Sequence, residues 1–366
     1  MTDLPQSDDF HSIVLDHRPL IDVRAPVEFA KGAFPGSVNL PLMYDEERHQ
    51  VGIRYREQGN AEATKLGHEL VGGATRKTRV EAWCHFIDRH PDAMLYCFRG
   101  GQRSQISQQW LMEAGREIVR LEGGYKAFRR YLIEETERSV ERFTPLLLGG
   151  RTGSGKTILL QELDHMIDLE ALANHRGSSF GRHISPQPSQ IDFENALAYA
   201  LIERLEAGFG YLVFEDEGKN IGKDFLPDSF AGHLSSSALI ILETSMAERV
   251  EITHEEYVTL AQRRYADAGF DDPLERWRED IEGAVKRIRK RLGGLRYQKL
   301  VTLFEDAFAH QVAGGSTEAH KEWVEYLLRE YYDPMYDYQI ERRSDLIRFR
   351  GDYDEVLEYL QSFRER

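Results

Sequence analysis

The chain has 366 residues, a formal net charge of −15, 41% hydrophobic residues and two cysteines. This length exceeds one ordinary domain, and the apolar content is enough for two hydrophobic cores. Two cysteines exclude a disulfide framework, no apolar run reaches the roughly 18 residues of a membrane helix, and the first ten residues are acidic and polar, so we expect a cytoplasmic protein with no membrane partner.

Strand-like and helix-like segments alternate through the first ~140 residues and again from about Pro145, which predicts two α/β domains with mainly parallel sheets. We predict a first domain at 1–140, a second at 141–300, and a mainly helical C-terminal extension at 301–366 packed on the second.

A reactive thiol is predicted at Cys97, which lies in a glycine-rich loop between a short apolar run and a helical segment. Backbone N–H groups of such a loop bind anions, and arginines and a helix N-terminus favour the thiolate. Cys84 instead fits the ordinary role of a small apolar residue. The residues expected to bind an anion beside Cys97 are Arg99, Gly100, Gly101, Arg103 and Ser104.

The segments around this loop resemble a rhodanese domain. Residues 20–29 and 32–41 are similar to its opening motifs, and 121–128 to its closing turn. The resemblance implies that Cys97 carries sulfur or selenium as a persulfide or selenenylsulfide. Five residues separate Cys97 from Arg103, one more than in the usual sulfurtransferase loop and the same as in cysteine-dependent phosphatases. A tetrahedral phosphate or selenophosphate is therefore plausible beside thiosulfate.

A phosphate-binding loop (P-loop) follows the strand-like segment 144–149, and a helical segment follows the loop. Its glycines let backbone N–H groups surround a diphosphate, Lys156 neutralises the outer phosphoryl group, and Thr157 can bind magnesium. ATP, GTP and an isoprenoid diphosphate would all satisfy the motif. The predicted diphosphate-binding residues are Gly150, Gly153, Ser154, Gly155, Lys156 and Thr157.

An acidic strand end at Glu215, Asp216 and Glu217 is the expected companion of the phosphate-binding loop. We take Asp216 as the first choice for a magnesium ligand together with Thr157, with its two neighbours as rivals. The alternative is that these acids only solvate the end of a strand.

A polar, glycine-containing segment after the predicted second strand of this domain is interpreted as a substrate loop. Its residues with hydrogen-bonding side chains are Asn174, His175, Arg176, Ser178 and Ser179. An ordinary surface loop would have a similar composition. His175 lacks partners at the spacing of a metal site.

Two basic stretches could contact a nucleic-acid backbone despite the acidic total charge. One is 286–299, and the other comprises Arg129, Arg130, Arg138 and Arg142. Binding depends on the potential at one face rather than on net charge. A solvated helix face is an equally good account of each stretch.

Taken together, the cysteine loop, the phosphate-binding loop and the segment 174–181 occur in the order of the tRNA 2-selenouridine synthase family, and the chain resembles that family over nearly its whole length. The resemblance implies conversion of wobble 2-thiouridine to 2-selenouridine through an S-geranyl intermediate. It implies tRNA as partner, geranyl diphosphate and selenophosphate as co-substrates, an enzyme that supplies selenophosphate, and Cys97 as the selenium carrier. A magnesium ion is the metal ion that could accompany the diphosphate at the phosphate-binding loop.

Two other classes of function stay open at this stage. A rhodanese-type sulfurtransferase or a cysteine-dependent phosphatase fused to an NTPase would use both loops without tRNA. A nucleotide-gated sensor of sulfur species would bind ligands at both loops without turnover.

Overall fold

The computed structural model describes residues 4–176, 180 and 183–363. The chain divides into two compact units, Met1–Arg142 with Pro188–Gly208, and Phe143–Gln187 with Phe209–Arg366. Each unit contains a five-stranded parallel sheet with helices, so the predicted α/β class is confirmed. Ser178 and Ser179 of the predicted substrate loop lie outside the described residues.

The first part of the chain alternates short strands and helices. In order, its elements are β1 (Gln6–Ser7), α1 (Phe10–Leu15), β2 (Leu20–Asp22), α2 (Pro26–Phe29), β3 (Ser37–Asn39), α3 (Asp45–Leu70), α4 (Gly73–Arg89), β4 (Met94–Tyr96), α5 (Gln102–Glu113), β5 (Val119–Leu121) and α6 (Gly124–Ser139). All four strand pairs are parallel, in the order β1-β5-β4-β2-β3.

The second part begins with the predicted strand and continues in the same alternation. Its elements are β6 (Thr144–Gly149), α7 (Lys156–Leu160), β7 (Met166–Ile167), α8 (Leu169–Leu172), α9 (Gln190–Glu206), β8 (Tyr211–Glu215), β9 (Asn220–Ile221), β10 (Asp224–Phe225), α10 (Asp228–Ser235) and β11 (Ala238–Leu242). It ends with α11 (Met246–His254), α12 (Leu260–Asp267), α13 (Pro273–Leu292), α14 (Gly294–Val312), α15 (His320–Leu327), α16 (Asp333–Glu341), β12 (Ile347–Gly351) and α17 (Tyr353–Ser362). Single π-helical turns, Glu255–Thr259 and Leu328–Tyr332, lie between α11 and α12 and between α15 and α16.

Helix α9 belongs to the first unit, although it follows the phosphate-binding loop in sequence. It begins with a capping box in which the Ser189 hydroxyl accepts a hydrogen bond from the Asp192 backbone N–H. Its apolar face adds Tyr199 and Ile202 to a core that also contains Phe128. The Asn195 side chain donates to the Ala33 carbonyl at 2.6 Å. The first unit is therefore built from two separate chain segments.

The second unit has the strand order β12-β11-β6-β8-β7, again all parallel. The central strand β6 has an apolar sequence and is buried from its second residue, as expected for a parallel sheet covered on both faces. The C-terminal strand β12 forms one edge of this sheet, and position 300 lies inside α14. Helices α13 to α15 surround a separate core around Trp277, Phe304 and Trp323. Among the described helices, none has the length and apolarity of a membrane span.

Candidate active sites

The cysteine loop joins the carboxyl end of β4 to the start of α5, where parallel sheets commonly bind ligands. Cys97 is 3% exposed. The glycine turn that opens α6 holds the loop from behind, because Tyr125 and Lys126 donate backbone hydrogen bonds to the Cys97 and Phe98 carbonyls at 2.9 and 3.0 Å. Gly124 has φ +59°, and a Cβ there would collide with the Cys97 carbonyl oxygen. The closing turn identified from sequence thus supports the reactive loop.

A hydroxyl group lies beside the cysteine sulfur. The Cys97 Sγ is 3.2 Å from the Ser104 Oγ, which also lies 3.0 Å from the Gly101 carbonyl oxygen. The hydroxyl has one proton, so it can donate to Gly101 while accepting from the thiol, or turn and donate to the thiolate. Ser104 is therefore placed to accommodate both charge states of Cys97.

The two loop arginines have different environments. Arg103 forms a bidentate ion pair with Glu28, at 2.6 and 3.1 Å, and Arg48 contacts the same carboxylate at 2.9 Å. Burial opposes ionisation of Glu28, but the hydrogen bond and charge of Arg103, the backbone hydrogen bond at Ala25 and the charge of Arg48 together outweigh it and lower the pKa of this carboxyl. Arg99 is exposed, with its guanidinium 5.9 Å from the centre of the Phe98 ring.

The phosphate-binding loop follows β6 and leads into the five-residue helix α7. Gly153 and Gly155 have φ values of +77° and +86°, and a Cβ on Gly153 would collide with the Thr253 hydroxyl. Lys156 is 9% exposed, and its Nζ lies 3.3 Å from the Gly150 carbonyl oxygen. These glycines therefore allow the tight backbone path on which phosphate binding depends.

Three carboxylates cluster beside Lys156. One oxygen of each of Glu170, Glu215 and Glu217 lies within 4.8 Å of the others, and Lys156 Nζ lies 3.5 Å from Glu215 Oε1. Burial and the neighbouring carboxylates raise the pKa of Glu170 to about 10 and that of Glu217 to about 7. Burial opposes the charge on Lys156, but Glu215 together with Tyr336, Glu217 and Glu170 outweighs it and raises the lysine pKa. Fully ionised, the cluster would carry more negative charge than one lysine can compensate, and the raised pKa of Glu170 favours its protonated form instead.

Asp216, the first choice for a magnesium ligand, is not part of this cluster. Its Oδ1 accepts a hydrogen bond from Arg343 at 2.6 Å. Strand β8 ends at Glu215, and the Glu217 N–H donates to the Glu215 carbonyl at 2.8 Å, so the chain turns here and Asp216 lies apart from the two flanking glutamates. Where the strand ends therefore decides which acids face Lys156.

A cavity of about 950 Å³ brings most of the predicted residues of the second unit together. It is lined by 152–157 of the phosphate-binding loop, by Glu170, Glu215 and Glu217, and by 174–176 of the predicted substrate loop. Asn174 itself has φ +48° and donates to the Ser185 and Pro186 carbonyls, which is a turn-forming role. Arg176 pairs with Glu256 at 2.7 Å.

Both basic stretches contain paired charges, including the ion pair of Arg296 with Glu330 at 2.9 Å in the second. Arg129 binds Glu194 and Asn195, and Arg138 binds Glu135, all within the first unit. In the segment 286–299 the lysine and arginine side chains are exposed along α13 and the start of α14. Leu295, between them, is 85% exposed. This second segment is the better candidate for contact with a polyanion.

Sequence reasoning missed four residues of these sites: Glu28, Arg120, Glu170 and Tyr336. Glu28 lies within a motif that was recognised, but nothing in the sequence pairs it with Arg103. Arg120 donates to the Gly100 carbonyl at 2.8 Å, and the Tyr336 ring lies 5.9 Å from Lys156 Nζ. Glu170 lies in α8, three residues after the end of β7, and no sequence motif marked it.

The comparisons with known proteins agree with this arrangement. A profile described as a rhodanese-like domain matches residues 7–131, and one described as the tRNA 2-selenouridine synthase AAA domain matches 143–366. A protein named tRNA 2-selenouridine synthase from Sulfurovum sp. is 62% identical, with 100% of both chains covered. Proteins of the same name from Hydrogenovibrio crunogenus and Marinobacter nauticus are 52% and 48% identical, over 98% and 99% of this chain and 99% of each relative. The chain belongs to the tRNA 2-selenouridine synthase family.

Proposed function

We propose that this protein converts 2-thiouridine in tRNA to 2-selenouridine by way of an S-geranyl intermediate. The observation that carries the proposal is the presence of a complete phosphate-binding loop and a buried, serine-paired cysteine loop in one chain of this family. Formation of the S-geranyl group requires a site for the diphosphate of geranyl diphosphate. Delivery of selenium requires a second anion site, for selenophosphate. In this scheme the protein works in the cytoplasm, where a thiol stays reduced.

In the first step the uridine sulfur attacks the first carbon of geranyl diphosphate. The carbon–oxygen bond breaks, its electron pair leaves with the diphosphate, and S-geranyl-2-thiouridine forms. The leaving group gains charge as the bond breaks, so Lys156 and the backbone N–H groups of 153–157 stabilise the transition state more than the substrate. The cavity of about 950 Å³ has room for the allylic chain beside the loop.

Magnesium fits this site by the chemistry of its donors. Glu215 is 4% exposed, and within the described residues its Oε2 has no hydrogen-bond partner. Glu170, Glu215 and Glu217 would supply hard oxygen ligands, with Thr157 beside the diphosphate. A bound magnesium ion would compensate the charge of the diphosphate.

In the second step selenium replaces the geranylthio group at C2 of the base. When selenophosphate reacts directly, S-geranyl-2-thiouridine, selenophosphate and water give 2-selenouridine, geranylthiol and phosphate, with no change in oxidation state. A separate enzyme supplies the selenophosphate. The cysteine loop binds its phosphoryl group through backbone N–H groups and Arg99, while the ion pair with Glu28 fixes Arg103.

We assign Cys97 the role of selenium carrier. Its thiolate attacks selenium, the selenium–phosphorus bond breaks with its electron pair on phosphorus, and a selenenylsulfide forms. The terminal selenium then displaces geranylthiolate from C2, and a thiol reductant cleaves the sulfur–selenium bond. This route releases phosphite and consumes two equivalents of thiol.

The spacing of Cys97 and Arg103, together with the hydroxyl 3.2 Å from the sulfur, favours a second role. Selenophosphate would itself displace geranylthiolate, and Cys97 would then take the phosphoryl group from selenium. Water hydrolyses the resulting phosphocysteine, so the products are 2-selenouridine and phosphate. Phosphorus-31 NMR distinguishes the two roles, because only the carrier route produces phosphite in step with 2-selenouridine.

The overall proposal is tested with two variants, Cys97→Ser and Lys156→Ala, and tRNA that carries 2-thiouridine. Nucleoside mass spectrometry follows the products after addition of geranyl diphosphate and selenophosphate. We expect Cys97→Ser to accumulate S-geranyl-2-thiouridine without selenation. Lys156→Ala should lose geranylation by about 100-fold, on the scale of one lost transition-state contact, yet still convert pre-geranylated tRNA.

Selenation by Cys97→Ser at the wild-type rate would show that the thiol is not required. Conversion of thiolated tRNA in the absence of geranyl diphosphate would show that the intermediate is not required. Turnover of ATP or a phosphomonoester without RNA would instead favour a phosphatase or NTPase.

A further inference from the structure

We propose that a second cavity, in the first unit beside the cysteine loop, binds the isoprenoid chain of S-geranyl-2-thiouridine while selenium replaces it. The inference rests on the proposed function, because it assigns a site to the leaving group of the second step. The cavity has a volume of about 530 Å³ and is lined by residues between 42 and 106. The phosphate-binding loop of the second unit does not line this cavity.

The cavity exists because α3 folds back on itself. Its backbone leaves helical geometry at Gly59, where φ is +82° and ψ −175°. A straight helix would separate Val51 and Gly67 by about 24 Å, at 1.5 Å per residue. A Cβ on Gly67 would instead lie 3.8 Å from the Val51 side chain. The two halves of α3 therefore form a helical hairpin, and residues of both halves line the cavity.

The floor of the cavity is apolar. Its apolar lining residues are Leu42, Met43, Val51, Tyr55, Ala63, Val71 and Ile106. Ala63 is 3% exposed and lines the cavity, so a larger side chain at this position would extend towards it. A volume of several hundred Å³ and a mainly apolar surface are typical of sites for small organic ligands. Such a surface favours a hydrocarbon chain over a nucleobase or a phosphate.

The floor is continuous with the packing around the reactive cysteine. Leu42, Met43 and Val71 belong to the same apolar cluster as Cys97. Arg103 also lines the cavity, and the next residue in α5 is Ser104, whose hydroxyl lies 3.2 Å from the cysteine sulfur. A hydrocarbon chain on this floor would therefore lie beside the loop at which selenium is exchanged.

The rim of the cavity carries basic side chains where the floor is apolar, and one of them, Arg48, also pairs with Glu28. Arg48, His49, Arg56 and His68 line it and are exposed. A chain linked to a polynucleotide needs this combination, because the hydrocarbon enters the floor while phosphates meet the positive rim. Free geranylthiol needs only the floor. The occupant that suits both surfaces is an isoprenoid chain still attached through sulfur to RNA.

The test variant places a larger side chain on the apolar floor of the cavity and changes no other residue of the helix. Ala63→Phe places a ring in the cavity, and Ala61→Phe places the same ring on the exposed face of the same helix, where it is the matched control. Both variants receive selenophosphate and tRNA alkylated in advance with a geranyl group. We expect Ala63→Phe to lose selenation by at least tenfold, and Ala61→Phe to match the wild type.

A shorter substrate separates a filled cavity from a misfolded protein. The same tRNA alkylated with a five-carbon dimethylallyl group leaves room for the new ring. Ala63→Phe should therefore convert the dimethylallyl substrate at close to the wild-type rate. Equal loss with both substrates, or no loss with either, would overturn the assignment.

Binding gives a readout that does not depend on turnover. The dissociation constant of the S-geranyl-2-thiouridine nucleoside should rise at least tenfold in Ala63→Phe and stay unchanged in Ala61→Phe. Unchanged binding in both variants would overturn the cavity assignment even if selenation is observed. Weaker binding in Ala63→Phe, with no selenation by the wild type, would reject the proposed function and leave the cavity assignment standing.

Discussion

At the scale of single residues, the cysteine loop depends on a carboxylate from a different element. Glu28 is 12% exposed and holds Arg103 in a bidentate pair, while Arg48 binds the same group. Arg103 is therefore fixed in one orientation before any anion arrives, which lowers the entropy cost of binding. Glu28 is a positioning residue rather than a catalytic one.

Replacement of this carboxylate gives a prediction at the residue scale. Glu28→Gln removes the charge that fixes Arg103, so we expect selenation of pre-geranylated tRNA to fall about tenfold, in line with a modest misplacement of a reactive site. The loss should appear in kcat for selenation, while geranylation stays at the wild-type rate. Kinetics of each half-reaction measure this difference. Equal losses in both half-reactions would point to a general loss of structure.

At the scale of elements, the turn that opens α6 connects the closing motif of the first unit to its reactive loop. Gly124 has φ +59° and leaves no space for a side chain, because a Cβ would meet the Cys97 carbonyl oxygen and the Gly100 nitrogen. Gly115, just after α5, also has a positive φ of +76° but open space around it. Both positions have an unfavourable φ for a side chain, but only at Gly124 would a side chain also collide with the cysteine loop. Comparing substitutions at the two positions therefore separates backbone strain from collision.

This contrast predicts different outcomes for two alanine substitutions. Both Gly124→Ala and Gly115→Ala should lower the free energy of unfolding by about 1 kcal/mol or more through the unfavourable φ. Only Gly124→Ala should also displace the cysteine loop and reduce selenation more than tenfold. Urea unfolding and the selenation assay check the two effects separately. Equal selenation by the two variants would contradict the supporting role of the turn.

At the scale of the whole molecule, the second unit buries a histidine inside its helical core. His320 is fully buried, its Nδ1 accepts a hydrogen bond from Trp323 at 2.8 Å, and its Nε2 lies 2.8 Å from the Gln311 side-chain oxygen. This pattern requires the neutral ring with its proton on Nε2. Burial, assisted by His254, lowers the pKa of His320 to about 4.

The shift predicts how stability depends on pH. The unfolded histidine titrates near pH 6.5. Between about pH 4 and 6.5 the ring is therefore protonated in the unfolded state but neutral in the folded state. The stabilisation from the buried neutral ring of His320 is complete above pH 6.5 and is lost as the pH falls to about 4. The free energy of unfolding falls by about 3 kcal/mol over this range. Relative to the wild type, His320→Gln should be least stable at pH 7, and the difference should shrink towards pH 4. Urea unfolding followed by tryptophan fluorescence measures it, and a constant difference would contradict the prediction.

Local sequence determined the parts of this protein that depend on neighbouring residues. The apolar run before Cys97, the phosphate-binding motif around Lys156 and the buried strand 144–149 were all recognisable, because strand, loop and helix signals lie within a few residues of one another. The order of these motifs also indicated the family.

Only the tertiary structure decided which distant residues meet. Glu28 and Arg103 are 75 residues apart, α9 completes the core of the first unit from beyond the phosphate-binding loop, and the turn at 215–217 places Asp216 beside Arg343 instead of Lys156. The cavity inside the α3 hairpin depends on one backbone angle at Gly59. Contacts of this kind arise from the packing of whole elements, and packing leaves no local pattern in the sequence.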